Sequence, residues 1–205
     1  MKKFFIVMVC LALSSAAYAQ FGGLKIPKIS SSSVSADEVV KKYGVASGHT
    51  LNAHARLLSA VGLKDMAEEV DAKARYLTEG TLSGKDMEET EKLVTESTKA
   101  LQEKFVDEKA VLDEEGKNEY GAGKGYLAKA ALAYADTALD IKNYKPGANP
   151  ASLNSTAKLA VNIGKKLPGD VSKLKTVIGM VKDYSKANNI PDDGTLEDAT
   201  KKLTF

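Results

Sequence analysis

The sequence predicts an all-α chain, a single helical bundle of about five to six helices behind a cleaved signal peptide and a flexible tether. Three observations predict it. Apolar residues recur at three- and four-residue steps through successive segments, capping residues or Gly and Pro breaks punctuate those segments, and no segment shows a period-two run bounded by hairpin signals. No fixed-period repeat is present.

The organisation is 1–19 signal peptide, 20–34 linker and 35–205 bundle. Lys2 and Lys3 precede the apolar run Phe4 to Leu13, and Ala17-Tyr18-Ala19 offers a cleavage site. The run is too short for a comfortable membrane span. Gln20 to Val34 holds Gly22-Gly23, Pro27 and the serines 30 to 33, with little to bury. It reads as a tether; a docking tail built on Phe21, Leu24, Ile26 and Ile29 is the functional alternative.

Ser35 with Glu38 three residues on is a capping-box signature. Val39, Tyr43, Ala46, Thr50, Leu51, His54 and Leu58 then hold helical spacing to about Val61, where Gly62 stops the helix. Gly44 and Gly48 inside it mark close helix contact or a bend. A second helix spans about Lys64 to Glu79 and stops at Gly80. The short connection makes the first two helices an antiparallel pair. Ser83 and Asp86 open a third, with Met87, Thr90, Val94, Thr98, Leu101, Phe105 and Leu112 inward. Gly116 to Gly125 reads as a turn or kink.

The fourth helix, to about Tyr144, is apolar around most of its circumference between Leu127 and Ile141, with Lys129, Asp136 and Asp140 as its polar stripe. That pattern predicts the centre of the bundle. Pro146-Gly147 breaks the chain and Asn149-Pro150 reads as a cap. A fifth helix follows to Leu167-Pro168-Gly169, read as a turn, and a sixth runs to Asn188-Asn189-Ile190-Pro191. Thr195 caps a short last helix through Leu203.

Removing the leader's 19 residues from 205 leaves 186, enough for one domain with a sizeable core. The whole chain carries 29 Lys and Arg against 27 Asp and Glu. Two of those lysines leave with the leader, so the processed chain is neutral and carries no nucleic-acid footprint. Arg56 and Arg75 are its only arginines, which disfavours phosphate or carboxylate clamps. Cys10 lies in the leader, so the processed chain has no thiol for a disulfide or a thiolate metal site.

The leader and glycine-containing tether, Val61-Gly62-Leu63-Lys64-Asp65, and above all Lys166-Leu167-Pro168-Gly169 with the lysine-rich helix after it and Ala187-Asn188-Asn189-Ile190-Pro191, together resemble a group of small exported helical proteins of Gram-negative bacteria. The resemblance implies export and an all-helical fold. It implies no catalytic residue.

Few residues invite chemistry. His49 and His54 are the only histidines, and five helical residues set them about 140° apart, too far round to share an ion. His54 lies in the apolar stripe and reads as a hydrogen-bonded core histidine rather than a buried base. Gly121-Ala122-Gly123-Lys124-Gly125 lacks the Ser or Thr and the preceding strand of a phosphate loop, and reads as a flexible joint. Asp192-Asp193-Gly194 is a turn rather than a calcium loop, because Pro191 and Thr200 fall at ligand positions. Asp113, Glu114, Glu115 and Glu119 read as solvated acids, and the seven tyrosines after the leader read mainly as core. The sequence therefore nominates no catalytic, cofactor or metal residue and no cofactor. Its expectation is a non-enzymatic interaction or structural protein, periplasmic or secreted, with an envelope or extracellular protein as partner, no nucleic acid, and no integral membrane segment. The alternative is a carrier for an apolar ligand such as a lipid or quinone.

Overall fold

Among the described residues of the computed structural model six helices follow one another: α1 (Ala36–Ala60), α2 (Lys64–Glu79), α3 (Gly84–Gln102), α4 (Glu114–Asn143), α5 (Ser155–Ala187) and α6 (Thr195–Lys201), with a π-helical turn at Glu103–Asp107. Residues 34–79, 82–146, 153–191 and 194–203 are described, and among them there is no strand. The leader, the tether before Val34, the Gly80 stop and the Asn149-Pro150 cap lie outside the described residues.

Local chemistry sets most of the boundaries. Ser35 Oγ accepts from the Glu38 N–H (3.1 Å), and Ser83 with Asp86 forms a reciprocal capping box at the head of α3. Asp113 and Asn154 cap α4 and α5 by accepting from the Gly116 and Ala157 N–H groups (2.7 and 2.8 Å). Gly62, at φ +79°, lets Leu63 N–H return to Leu58 C=O at the end of α1. Asn189, at φ +54°, does the same after α5. For α6 the N-cap is Gly194, and Thr195 is its first residue.

Two expected breaks are absent. Helix α4 begins at Glu114 and passes through Gly121 to Gly125 without interruption, so those glycines form no joint. Helix α5 is continuous through Pro168. A proline removes one helical hydrogen bond and crowds the preceding turn, yet Ala160, Ile163, Leu167, Val171, Leu174, Ile178 and Val181 hold one buried face on both sides of it. Burial of that face outweighs the local cost, and the exposed Pro168 ring stays in solvent. Pro168→Ala is expected to raise stability by about 1–2 kcal/mol, below the roughly 3 kcal/mol of a helix that has not relaxed around the ring. A urea midpoint unchanged or lowered by P168A would contradict this.

The centre of the bundle is also a correction. Helix α1, not α4, is the central rod: it touches α2, α3, α4 and α5, and more than half its residues are buried. Helix α4 leaves Leu132 and Leu139 exposed. The misreading comes from counting Leu132 and Leu139 as core by residue type, together with Ala135 and Ala138, which are only half-buried. Gly48 of α1 packs on the Ala74 to Thr78 backbone of α2, and Gly123 of α4 packs on Ala53 and Leu57 of α1, so these glycines serve close contact. Beyond α3 the wide π turn carries Phe105 onto Tyr120 and Tyr184, with ring centroids 5.7 and 4.5 Å away. No described helix is long and apolar enough to cross a membrane.

Candidate functional site

Polar side chains gather at two places along α1, and a wide concavity lies at a third. The first cluster joins α1, α3, α4 and α5. Tyr43 donates to Asp170 Oδ2 (2.7 Å), Ser47 and Tyr134 share a longer hydroxyl contact (3.4 Å), and the two tyrosine rings meet edge to face at 6.1 Å. Glu91 of α3 accepts from Lys173 (3.1 Å) and from Lys166. The Thr90 hydroxyl is buried with no hydrogen-bond partner among the described residues. A cavity of about 20 Å³ lies among these groups, room for about one water. Burial raises the Asp170 carboxyl above the usual carboxylate range, against the downward pull of the Tyr43 hydrogen bond and of Lys173 and Lys166. Burial likewise pushes both tyrosine hydroxyls up. The cluster is a polar link between helices whose hydroxyls remain protonated at neutral pH.

The second is His54 on Ser97 of α3. His54 Nδ1 lies 2.5 Å from Ser97 Oγ, and that hydroxyl points its single hydrogen toward the α3 backbone at Leu93 O (2.5 Å). Nδ1 must then carry the proton, which leaves Nε2 as a buried acceptor without a partner. Burial lowers the ring's pKa to about 4. A Ser beside a His suggests a nucleophile and its base, but Ser97 donates to backbone rather than to the imidazole. The His54 side chain is fully buried and Ser97 is sealed with it, so the pair has no access to substrate.

A concavity of about 830 Å³ runs between the first half of α1, the end of α2, the residues that open α3 and the start of α5. Val40, Val45, Leu77, Leu82 and Leu159 supply its apolar wall, and Asp37, Lys41, Glu79 and Lys158 its charged edge. None of Tyr43, His54, Ser97, Tyr134 or Asp170 lines it.

The other sequence candidates are dispersed. His49 is half-buried against the Tyr126 ring (6.1 Å), on a different side of α1 from His54, and burial with the nearby Lys129 charge lowers its pKa. The acidic group does not converge: Asp113 caps α4, Glu114 pairs with Lys117 (2.7 Å) and Glu119 pairs with Arg56 (3.2 Å). Among the described residues no set of three or more His, Asp and Glu side chains is placed to hold a metal ion. Lys124 donates to Pro191 C=O (3.2 Å) from mid-helix. Tyr43, Tyr120, Tyr134 and Tyr184 are core, whereas Tyr76 is exposed beneath the Lys73 ammonium. Sequence reasoning did not find Asp170 or Ser97. Comparison with protein-family models, curated proteins and solved structures returns no match to this chain.

Proposed function

We propose that this chain is an exported, non-enzymatic binding protein of the Gram-negative envelope, periplasmic or secreted, that engages an envelope or extracellular protein through its exposed helix faces. One observation carries the non-enzymatic reading. The His54 imidazole and the Tyr43 and Tyr134 hydroxyls, whose ionisation burial displaces far, and Ser97 beside His54, are enclosed in the bundle, while the groove of about 830 Å³ is built from other residues. An active site needs perturbed acid–base groups and an accessible cleft in one place. The leader and the resemblance to small exported helical proteins support the compartment.

A second reading, a carrier for an apolar ligand such as a lipid or quinone, is favoured by the groove, whose volume falls within the roughly 300–1,000 Å³ of small-molecule sites. Such a ligand would lie on Val45 and Leu159 rather than between parted helices, since Gly44 and Gly48 are engaged in packing and Gly121 to Gly125 form no hinge.

Cross-linking in the intact envelope followed by native mass spectrometry tests the assignment. The expected product is the chain bound to one protein partner at fixed stoichiometry. A lipid-sized adduct in its place, lost on Val45→Trp, moves the assignment to the carrier. A turnover activity abolished by Ser97→Ala in a folded chain overturns both.

A further inference from the structure

The outer face of α4 carries an exposed seam. Ala122, Gly125, Lys129, Leu132, Asp136 and Leu139 follow one another at alternating three- and four-residue steps, and every one is exposed. Leu132 is 39% and Leu139 59% exposed, large values for leucine in a chain that buries most of its aliphatic side chains. Beside them the backbone is open: a Cβ added at Gly121 or Gly125 would meet nothing within 4 Å among the described residues. Each such glycine costs an exposed helix about 1 kcal/mol relative to alanine. At Gly116 and Gly123 of the same helix a packed neighbour explains the glycine; at Gly121 and Gly125 no neighbour among the described residues does. The pattern repeats every seven residues, the period of a helix–helix contact.

We propose that this seam is a homodimer interface, with α4 of a second copy lying antiparallel across it about a two-fold axis near Leu132. The sequence along the seam is self-complementary about that point. Leu132 meets the partner subunit's Leu132. Seven residues further on, Leu139 seats on the open backbone at the partner subunit's Gly125. Lys129, three residues before the axis, comes within one residue's rise of the partner subunit's Asp136, four residues after it, and the two-fold axis repeats the Leu139 and Lys129 contacts in the reverse sense. Charge selects this orientation. A parallel pair would set lysine against lysine at 129 and aspartate against aspartate at 136, which repel. Within its own chain the Lys129 ammonium lies 4.7 Å from the centre of the Tyr126 ring, a contact that leaves its charge uncompensated. From Ala122 to Leu139 the seam is about 25 Å long at 1.5 Å per residue. One helix pair of that length gives a small interface, so association depends on concentration.

Sedimentation of the full chain carrying Cys10→Ser tests the proposal, with circular dichroism confirming the fold of each variant. The weight-average mass is expected to rise with concentration from 21.8 kDa toward twice that value, and Leu132→Arg to hold it at the monomer. Lys129→Asp sets two pairs of like charges together and is expected to weaken the dimer about tenfold. Adding Asp136→Lys to it is expected to restore the association, a rescue that a purely structural role for Lys129 would not give. With the native cysteine removed, Leu132→Cys is expected to oxidise to a disulfide-linked dimer across the axis. A chain that stays monomeric at every concentration, a dimer that survives Leu132→Arg, or a charge swap that fails to rescue would overturn it.

Discussion

Between pH 6.5 and pH 4 the folded chain is expected to lose about 3 kcal/mol of stability through His54. Burial lowers the ring's pKa from 6.5 to about 4, and each pKa unit corresponds to about 1.4 kcal/mol. In this window the unfolded chain takes up a proton that the folded chain refuses, so the contribution is complete above pH 6.5 and falls until both states are protonated below about pH 4. His49 acts in the same sense, reduced by its partial exposure to solvent. Asp170 opposes them. Its carboxyl is raised by burial, so the folded chain binds that proton before the unfolded chain does, and its contribution grows as the pH falls toward the ordinary carboxylate range. Urea unfolding at half-unit steps from pH 7.5 to 4 reads the balance. His54→Gln is expected to lower stability at pH 7, where packing is lost, and to flatten the decline below pH 6.5. A variant with the parental pH slope would show that His54 does not cause it.

The same histidine illustrates how far the sequence could be read. Its place between Leu51 and Leu58 in an apolar stripe identified it as core, but Ser97 stands 43 positions away on another helix, and one chain's periodicity does not say which faces meet. The ends of helices were legible because capping is local: Ser35, Ser83 and Gly62 act on groups within four residues. What was not legible depended on competition between local cost and distant burial. Leu167-Pro168-Gly169 reads as a turn on propensity, and that reading hid Asp170. On one continuous helix Asp170 falls about 60° from Leu167, at the edge of the buried face, which is where a polar residue receiving a hydrogen bond from Tyr43 would be sought. Similarly, counting Leu132 and Leu139 as core placed α4 at the centre. Small polar residues disguised α1, where Thr50 satisfies its hydroxyl on Ala46 C=O one turn back (3.1 Å) and so tolerates burial.

Alanine at Gly116 is expected to cost about 3 kcal/mol, whereas alanine at Gly121, five residues along the same helix, is expected to add about 1 kcal/mol. Intrinsic helix propensity favours both substitutions equally, so their opposite signs isolate packing. A Cβ at Gly116 would stand 2.7 Å from the backbone oxygen of Ala60, at the end of α1, and 3.2 Å from the Asp113 carboxylate that caps α4. A backbone carbonyl cannot rotate aside as a side chain can, so the two helices must move apart at that point. Gly123 is the intermediate case, because its nearest neighbours at 2.8 Å are Leu57 side-chain atoms, which can shift at the cost of other contacts in a filled core. Its alanine variant is therefore expected to lose roughly 1–2 kcal/mol. Chemical denaturation at a fixed low concentration, below that of any self-association, ranks the three variants. If Gly116→Ala proves as stable as Gly121→Ala, then α1 and α4 do not approach at Ala60, and α1 loses its place as the central helix.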